Sequence, residues 1–244
     1  MFLMYFLISI TIILNSFLSI YILKKRSFYM CLEKSLAVFT IMFFVVLWTY
    51  IYIAGIEQLI RIFFIFPIML IISAVDAREK IVFDEDVICG IIIEIVISLV
   101  IEFRRFLTLT EDFFSLKSLN SLKLIFINYM WVSIHIASKN FFSYGVYFNR
   151  GVFESFLGMM VFFVSTYILA KVTKAIGMGD VIYFSLLGTI ASFGGCIFIF
   201  FSSFMVCFLY CVVLKIINRD FEGGLISFTP FISIGFIIFC YIAK

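Results

Sequence analysis

The chain has 244 residues, of which 65% are hydrophobic and 14% carry a charge, and its formal net charge is +3. Soluble domains are about half apolar and about a quarter charged, so this composition excludes that class and predicts a polytopic helical membrane protein. The small net charge gives no reason to expect nucleic acid as a partner.

Apolar runs that are long enough to cross a bilayer, about 20 residues each, recur along the chain. We predict an all-α fold of about eight transmembrane helices in a single domain, residues 1–244. Residues 103–150 mix polar and apolar stretches, so an outside loop, an interfacial helix and a hairpin that adds crossings all stay open. The predicted spans are 2–23, 36–54, 58–75, 87–102, 151–171, 181–199, 200–217 and 226–243.

The basic residues predict the orientation, because cytoplasmic loops of membrane proteins are enriched in lysine and arginine. With the N-terminus outside, four basic groups fall on the cytoplasmic side. These groups are Lys24 to Arg26, Arg78 with Lys80, Lys171 with Lys174, and Lys215 with Arg219.

Two aspartates stand at ends of predicted spans. Asp76 follows span 58–75 and begins a charged loop, and Asp180 directly precedes span 181–199. Aspartate is costly near a bilayer, so each is a candidate functional residue. Two carboxylates, one ionised and one protonated, can activate water to cut a peptide bond. The pair can meet only at one membrane face, which requires an even number of crossings between them.

The sequence Gly177-Met178-Gly179 comes immediately before Asp180. Glycine permits positive φ angles and close approach to the backbone. We therefore expect these glycines to let an extended substrate lie against the chain beside the acid.

Three sequence blocks carry a resemblance to a known family. The first block, residues 76–84, reads DAREKIVFD; the second, 177–181, reads GMGDV; the third, 227–231, reads SFTPF. In this order they resemble the D-x-R-x-x-x-I-P-N/D, G-x-G-D-V and P-F-G-P-F blocks of bacterial type IV prepilin peptidases, membrane aspartyl proteases of the Gly-x-Gly-Asp class. The resemblance covers residues 58–102 and 151–243.

The resemblance implies an enzyme of the bacterial inner membrane whose active site faces the cytoplasm. Its partners would be prepilins or pseudopilins, from which it would cut the short basic leader, and Asp76 and Asp180 would be the catalytic pair. Asp84 matches a polar position that is not itself catalytic, and Pro230 would break the last helix near the site. The positions implied to shape the active site are Gly177, Gly179, Asp84 and Pro230.

The loop at residues 24–35 is shorter than in bifunctional members of this family. Those members carry a methyltransferase segment there, often with two Cys-x-x-Cys pairs, whereas this loop holds only Cys31. The chain has six cysteines and no Cys-x-x-Cys pair, so we expect no zinc, no other cofactor and no methylation activity.

Three other functions stay open. A small proton-coupled transporter could relay protons through Asp76, Glu94 and Asp180. A catalytically inactive relative could act as an assembly partner in a pilus or secretion system. A presenilin-like protease that cuts deep in the bilayer shares the Gly-x-Gly-Asp sequence.

Overall fold

The computed structural model describes residues 56–111, 145–149, 151–174, 176–217 and 226–243, with the separate residues 17, 19–21, 24, 127, 129–132, 134 and 135. Across these residues the fold is all-α, as predicted, and the β-pairing in them is an isolated antiparallel bridge between Phe148 and Ala191. The helices are α1 (Ile56–Glu79), α2 (Asp84–Glu111), α3 (Val152–Thr173), α4 (Met178–Ile190), α5 (Phe193–Ile217) and α6 (Thr229–Ile242).

Three helices of the described ranges are long and apolar enough to cross a membrane: Ile60–Glu79 within α1, together with α3 and α5. The predicted spans 58–75 and 151–171 coincide with α1 and α3. By contrast, α4 and α6 have 13 and 14 residues, fewer than the roughly 20 that a crossing requires. The predicted span 87–102 lies within the longer helix α2, which has 28 residues. Charged residues interrupt the apolar stretch of α2, and it is not among the three helices named above.

Several predicted segments lie outside the described residues. They are span 36–54, nearly all of span 2–23 and of loop 24–35, and most of region 103–150. The count of about eight transmembrane helices therefore stays a prediction.

The boundary predicted between residues 199 and 200 is wrong. One helix ends at Ile190 and the next begins at Phe193. At this break the Asn149 N–H donates to the Ile190 carbonyl at 2.7 Å, beside the bridge between Phe148 and Ala191. A hydropathy pattern cannot locate this break, because the residues on both sides of it are apolar and the pairing segment is distant in sequence.

The chain divides into two compact units, of which the first comprises Met1–Gly90 and Phe198–Lys244. Within this first unit α1 packs against α6. The rings of Phe66 and Phe236 lie 6.3 Å apart, and the hydroxyl oxygens of Ser73 and Ser233 share a hydrogen bond of 2.5 Å. The fully buried side chains of these helices include Ile62, Ile65, Met69, Ile72, Ile232, Phe236 and Phe239.

The second unit comprises Ile91–Ile197, and within it α3 packs closely against α4. The backbones meet at Gly158 and Gly188, where a Cβ atom on either glycine would overlap the carbonyl oxygen of the other. The rings of Phe162 and Phe184 lie 5.1 Å apart in the same interface. In a bilayer no hydrophobic force drives helices together, so their association depends on close packing. Small residues at a helix contact allow such packing and are typical of membrane proteins.

We expect Gly158→Ala and Gly188→Ala each to destabilise the protein, although alanine is better than glycine in a helix by about 1 kcal/mol. The added methyl group would force the helices apart, and such overpacking costs roughly 1–3 kcal/mol. Thermal unfolding of the purified protein in detergent measures the change. Val164→Ala, at a position on α3 that is 50% exposed, is the control and should change little. A higher melting temperature for both glycine variants would contradict the close contact.

Candidate active site

Asp76 lies in the last turn of α1, and its side chain is only 5% exposed. The sequence-based expectation that Asp76 begins a charged loop is therefore wrong. The helix continues to Glu79 and ends at Lys80, whose φ is 59° and whose N–H donates to the Asp76 carbonyl at 2.9 Å. Such a left-handed residue is a common way for a helix to end.

The Asp76 carboxylate is held by the chain that leads into α6. The Ser227 hydroxyl donates to Oδ2, and the Thr229 N–H donates to the same oxygen at 3.2 Å. An acid is unfavourable at the end of its own helix but favourable at the start of another, because the helix dipole is positive there. These donors thus explain why the side chain can be buried at this position.

Asp76 also completes the start of α6. The N-cap residue Phe228 makes no capping hydrogen bond, and Pro230, beside Thr229 in the first turn, has no N–H to donate. The carboxylate from α1 therefore performs the task that a serine or aspartate at the N-cap usually performs. Pro230 lies in the first turn of α6 and does not break the helix, and the first turn is the ordinary place for proline.

Asp180 lies in the first turn of α4, where it is half-buried. Gly177 is the N-cap of this helix, with φ −69°, a conformation open to any residue, so the positive φ expected from glycine is not used there. A Cβ atom on Gly177 would lie 3.4 Å from Oδ2 of Asp180, which shows that the backbone is close to the carboxylate. Gly179 is the second residue of α4 and is half-buried.

The structure joins the first and third sequence blocks, because Asp76 contacts Ser227 and Thr229 within the first unit. Asp84 also belongs to this unit, where it is exposed in the first turn of α2. Asp180 and its two glycines, the second block, belong to the second unit.

Sequence reasoning did not assign a role to Ser227 or Thr229. The signal was present, since serine and threonine just before Pro230 are typical of a helix start. What the sequence did not reveal is that the oxygen at this start comes from Asp76, which is 151 positions from Ser227.

Two more helix ends in the second unit are completed by distant side chains. Glu102 of α2 accepts a hydrogen bond from the Val152 N–H at the start of α3, at 3.1 Å. Asn149 donates to the carbonyls of Gly188 and Thr189 at the end of α4, at 3.0 and 3.1 Å.

Glu94 of α2 is fully buried in the second unit, where the Ser98 hydroxyl donates to Oε1 at 3.4 Å. Ser98 in turn shares a hydrogen bond of 3.2 Å with Ser155 of α3. Among the described residues no three His, Cys, Asp or Glu side chains are grouped to hold a metal ion. Glu94 thus accepts a hydrogen bond within α2 from the serine that connects α2 to α3.

Both candidate aspartates lie beside the start of a short apolar helix, where positive dipole ends favour negative charge. Asp76 is buried and fixed by two donors, whereas Asp180 is half-buried next to an exposed glycine. No protein-family model, curated protein or solved structure matches the chain.

We expect Asp76→Ala to lower the free energy of unfolding by about 1–2 kcal/mol, the usual cost of losing an N-cap oxygen. Asp76→Asn should lose less, because its amide oxygen can still accept a hydrogen bond. Thermal unfolding in detergent measures both changes, with exposed Glu79→Ala on the same helix as the control. Unchanged unfolding of Asp76→Ala would refute the capping role.

Proposed function

We propose that the chain is a membrane aspartyl endopeptidase of the type IV prepilin peptidase kind. In this proposal it cuts the short basic leader from prepilins or pseudopilins at the cytoplasmic face of a bacterial inner membrane. Asp76 and Asp180 form the catalytic pair. The three ordered sequence blocks support the family, and the surroundings of Asp76 support the choice of acid.

The observation that carries the proposal is the buried carboxylate of Asp76 with Oδ2 held by two donors. Capping of α6 alone gives no reason for an acid, since asparagine caps a helix about as well as aspartate. A buried acid is costly in apolar surroundings, so its presence where an amide would serve favours a chemical role.

The proposed reaction needs one ionised and one protonated carboxyl group, which two nearby acids that share a proton supply. The ionised group takes a proton from water while the water oxygen bonds to the scissile carbonyl carbon. The other carboxyl group gives its proton to the carbonyl oxygen. When the C–N bond breaks, the first group passes its proton to the leaving nitrogen, and the second recovers a proton from a hydroxyl of the diol.

An acidic group at the start of α2 also supports the proposal of a basic leader as substrate. The first turn of α2 carries Asp84, Glu85 and Asp86, of which the first two are exposed. A basic leader would be attracted by such a group, since opposite charges favour encounter and orientation. Asp84 would contribute through this charge.

The test is cleavage of a prepilin or pseudopilin from the same genome when it is co-expressed with the chain. We expect the wild type to shorten the substrate, and Asp76→Asn and Asp180→Asn each to reduce the rate by about 100-fold or more, since proton transfer typically contributes that much. The loss of the leader is followed as a size shift on a gel, at matched protein levels.

Glu102→Gln is the matched control for Asp76→Asn. Both acids complete the start of another helix, and both replacements keep an oxygen that can accept the hydrogen bond. We expect cleavage to survive in Glu102→Gln. Activity of either aspartate variant near that of the wild type would remove that aspartate from the catalytic pair. An inactive wild type would instead favour an assembly partner or a transporter.

A further inference from the structure

Ser227 precedes α6 and is buried, with only 9% of its surface exposed. Its hydroxyl donates to Oδ2 of Asp76, the oxygen that also accepts from the Thr229 N–H at 3.2 Å. In the described part of the chain both hydrogen bonds to this carboxylate therefore fall on one oxygen. Neither donor bonds to Oδ1, which is the oxygen that the proposed reaction would use to exchange a proton with water.

The two donors differ in how they are supplied. Thr229 offers a backbone N–H that every residue except proline would offer at this position. Ser227 offers a side-chain hydroxyl, which only a residue with a donor in its side chain can supply. The hydroxyl is therefore the donor that a single substitution can remove while the backbone N–H stays.

We propose that Ser227 is a positioning residue for the reaction, an inference that rests on the proposed function. With Oδ2 held by Ser227 and Thr229, the plane of the carboxylate is fixed and Oδ1 keeps one orientation throughout the cycle. A carboxylate that is already oriented need not reorganise when the proton moves. The hydrogen bonds should therefore raise the rate of the chemical step and leave the affinity for the substrate unchanged.

The experiment measures kcat and KM of the purified full-length protein in detergent, with the prepilin that the wild type cleaves. Ser227→Ala should lower kcat about 10- to 100-fold, as expected for loss of a hydrogen bond to a charged group, and leave KM within about twofold. Ser227→Thr keeps a hydroxyl and should restore most of kcat.

Ser233→Ala is the matched control. Ser233 shares a hydrogen bond of 2.5 Å with Ser73, which joins the same two helices, α1 and α6, and its hydroxyl donates to the Thr229 carbonyl at 3.1 Å within α6. Neither hydrogen bond involves the Asp76 carboxylate. We expect Ser233→Ala to keep kcat within about twofold of the wild type, because the Ser227 hydroxyl and the Thr229 N–H that hold the carboxylate both remain.

Equal losses of kcat in Ser227→Ala and Ser233→Ala would overturn the proposal, since both would then act by loosening the helix pair. So would an unchanged kcat in Ser227→Ala, or a Ser227→Thr variant as slow as Ser227→Ala. If Ser227→Ala does not accumulate, Ser227→Cys replaces it, since cysteine has a similar shape and a weaker donor, and its kcat should then fall below that of Ser227→Thr. Cleavage by the wild type with any of these adverse results leaves the proposed function intact, whereas an inactive wild type refutes both.

Discussion

Helix ends in apolar surroundings need partners for their free backbone groups, and in the described part of the chain side chains from distant positions supply several of them. Asp76 completes the start of α6, Glu102 the start of α3, and Asn149 the end of α4. Neither α3 nor α6 has a capping oxygen on its own N-cap residue. Acids at helix starts and an amide donor at a helix end also match the direction of the helix dipole.

The short apolar helix α4 shows how the pairing of helix ends relates to the candidate site. A helix of 13 residues, such as α4, rises about 20 Å, less than the roughly 30 Å of bilayer hydrocarbon. One end of α4 is buried, and there Asn149 takes up the carbonyls. The other end has the exposed Gly177 as its N-cap and carries Asp180 in its first turn. Within its unit, Asp180 thus lies at the end of the helix that is open to its surroundings.

The sequence was sufficient for the features that depend on local pattern. Long apolar runs predicted α1 and α3, and the cost of an acid near a bilayer identified Asp76 and Asp180 as candidates. The break after Ile190 and the burial of Asp76 were not predictable, since each depends on a segment far along the chain. Neither hydropathy nor spacing carries information about which distant backbone groups pair.

The residues that donate hydrogen bonds to Asp76 are synthesised long after Asp76 itself. Ser227 is 151 positions further along the chain, so at a synthesis rate of about 5–20 residues per second roughly 8–30 seconds separate the two residues at the ribosome. During that interval α1 exists without the hydroxyl and the N–H that hold its carboxylate. Asp76 therefore obtains its final surroundings only when the start of α6 has been synthesised. The hydrogen bonds that hold its carboxylate thus form late in the synthesis and folding of the chain.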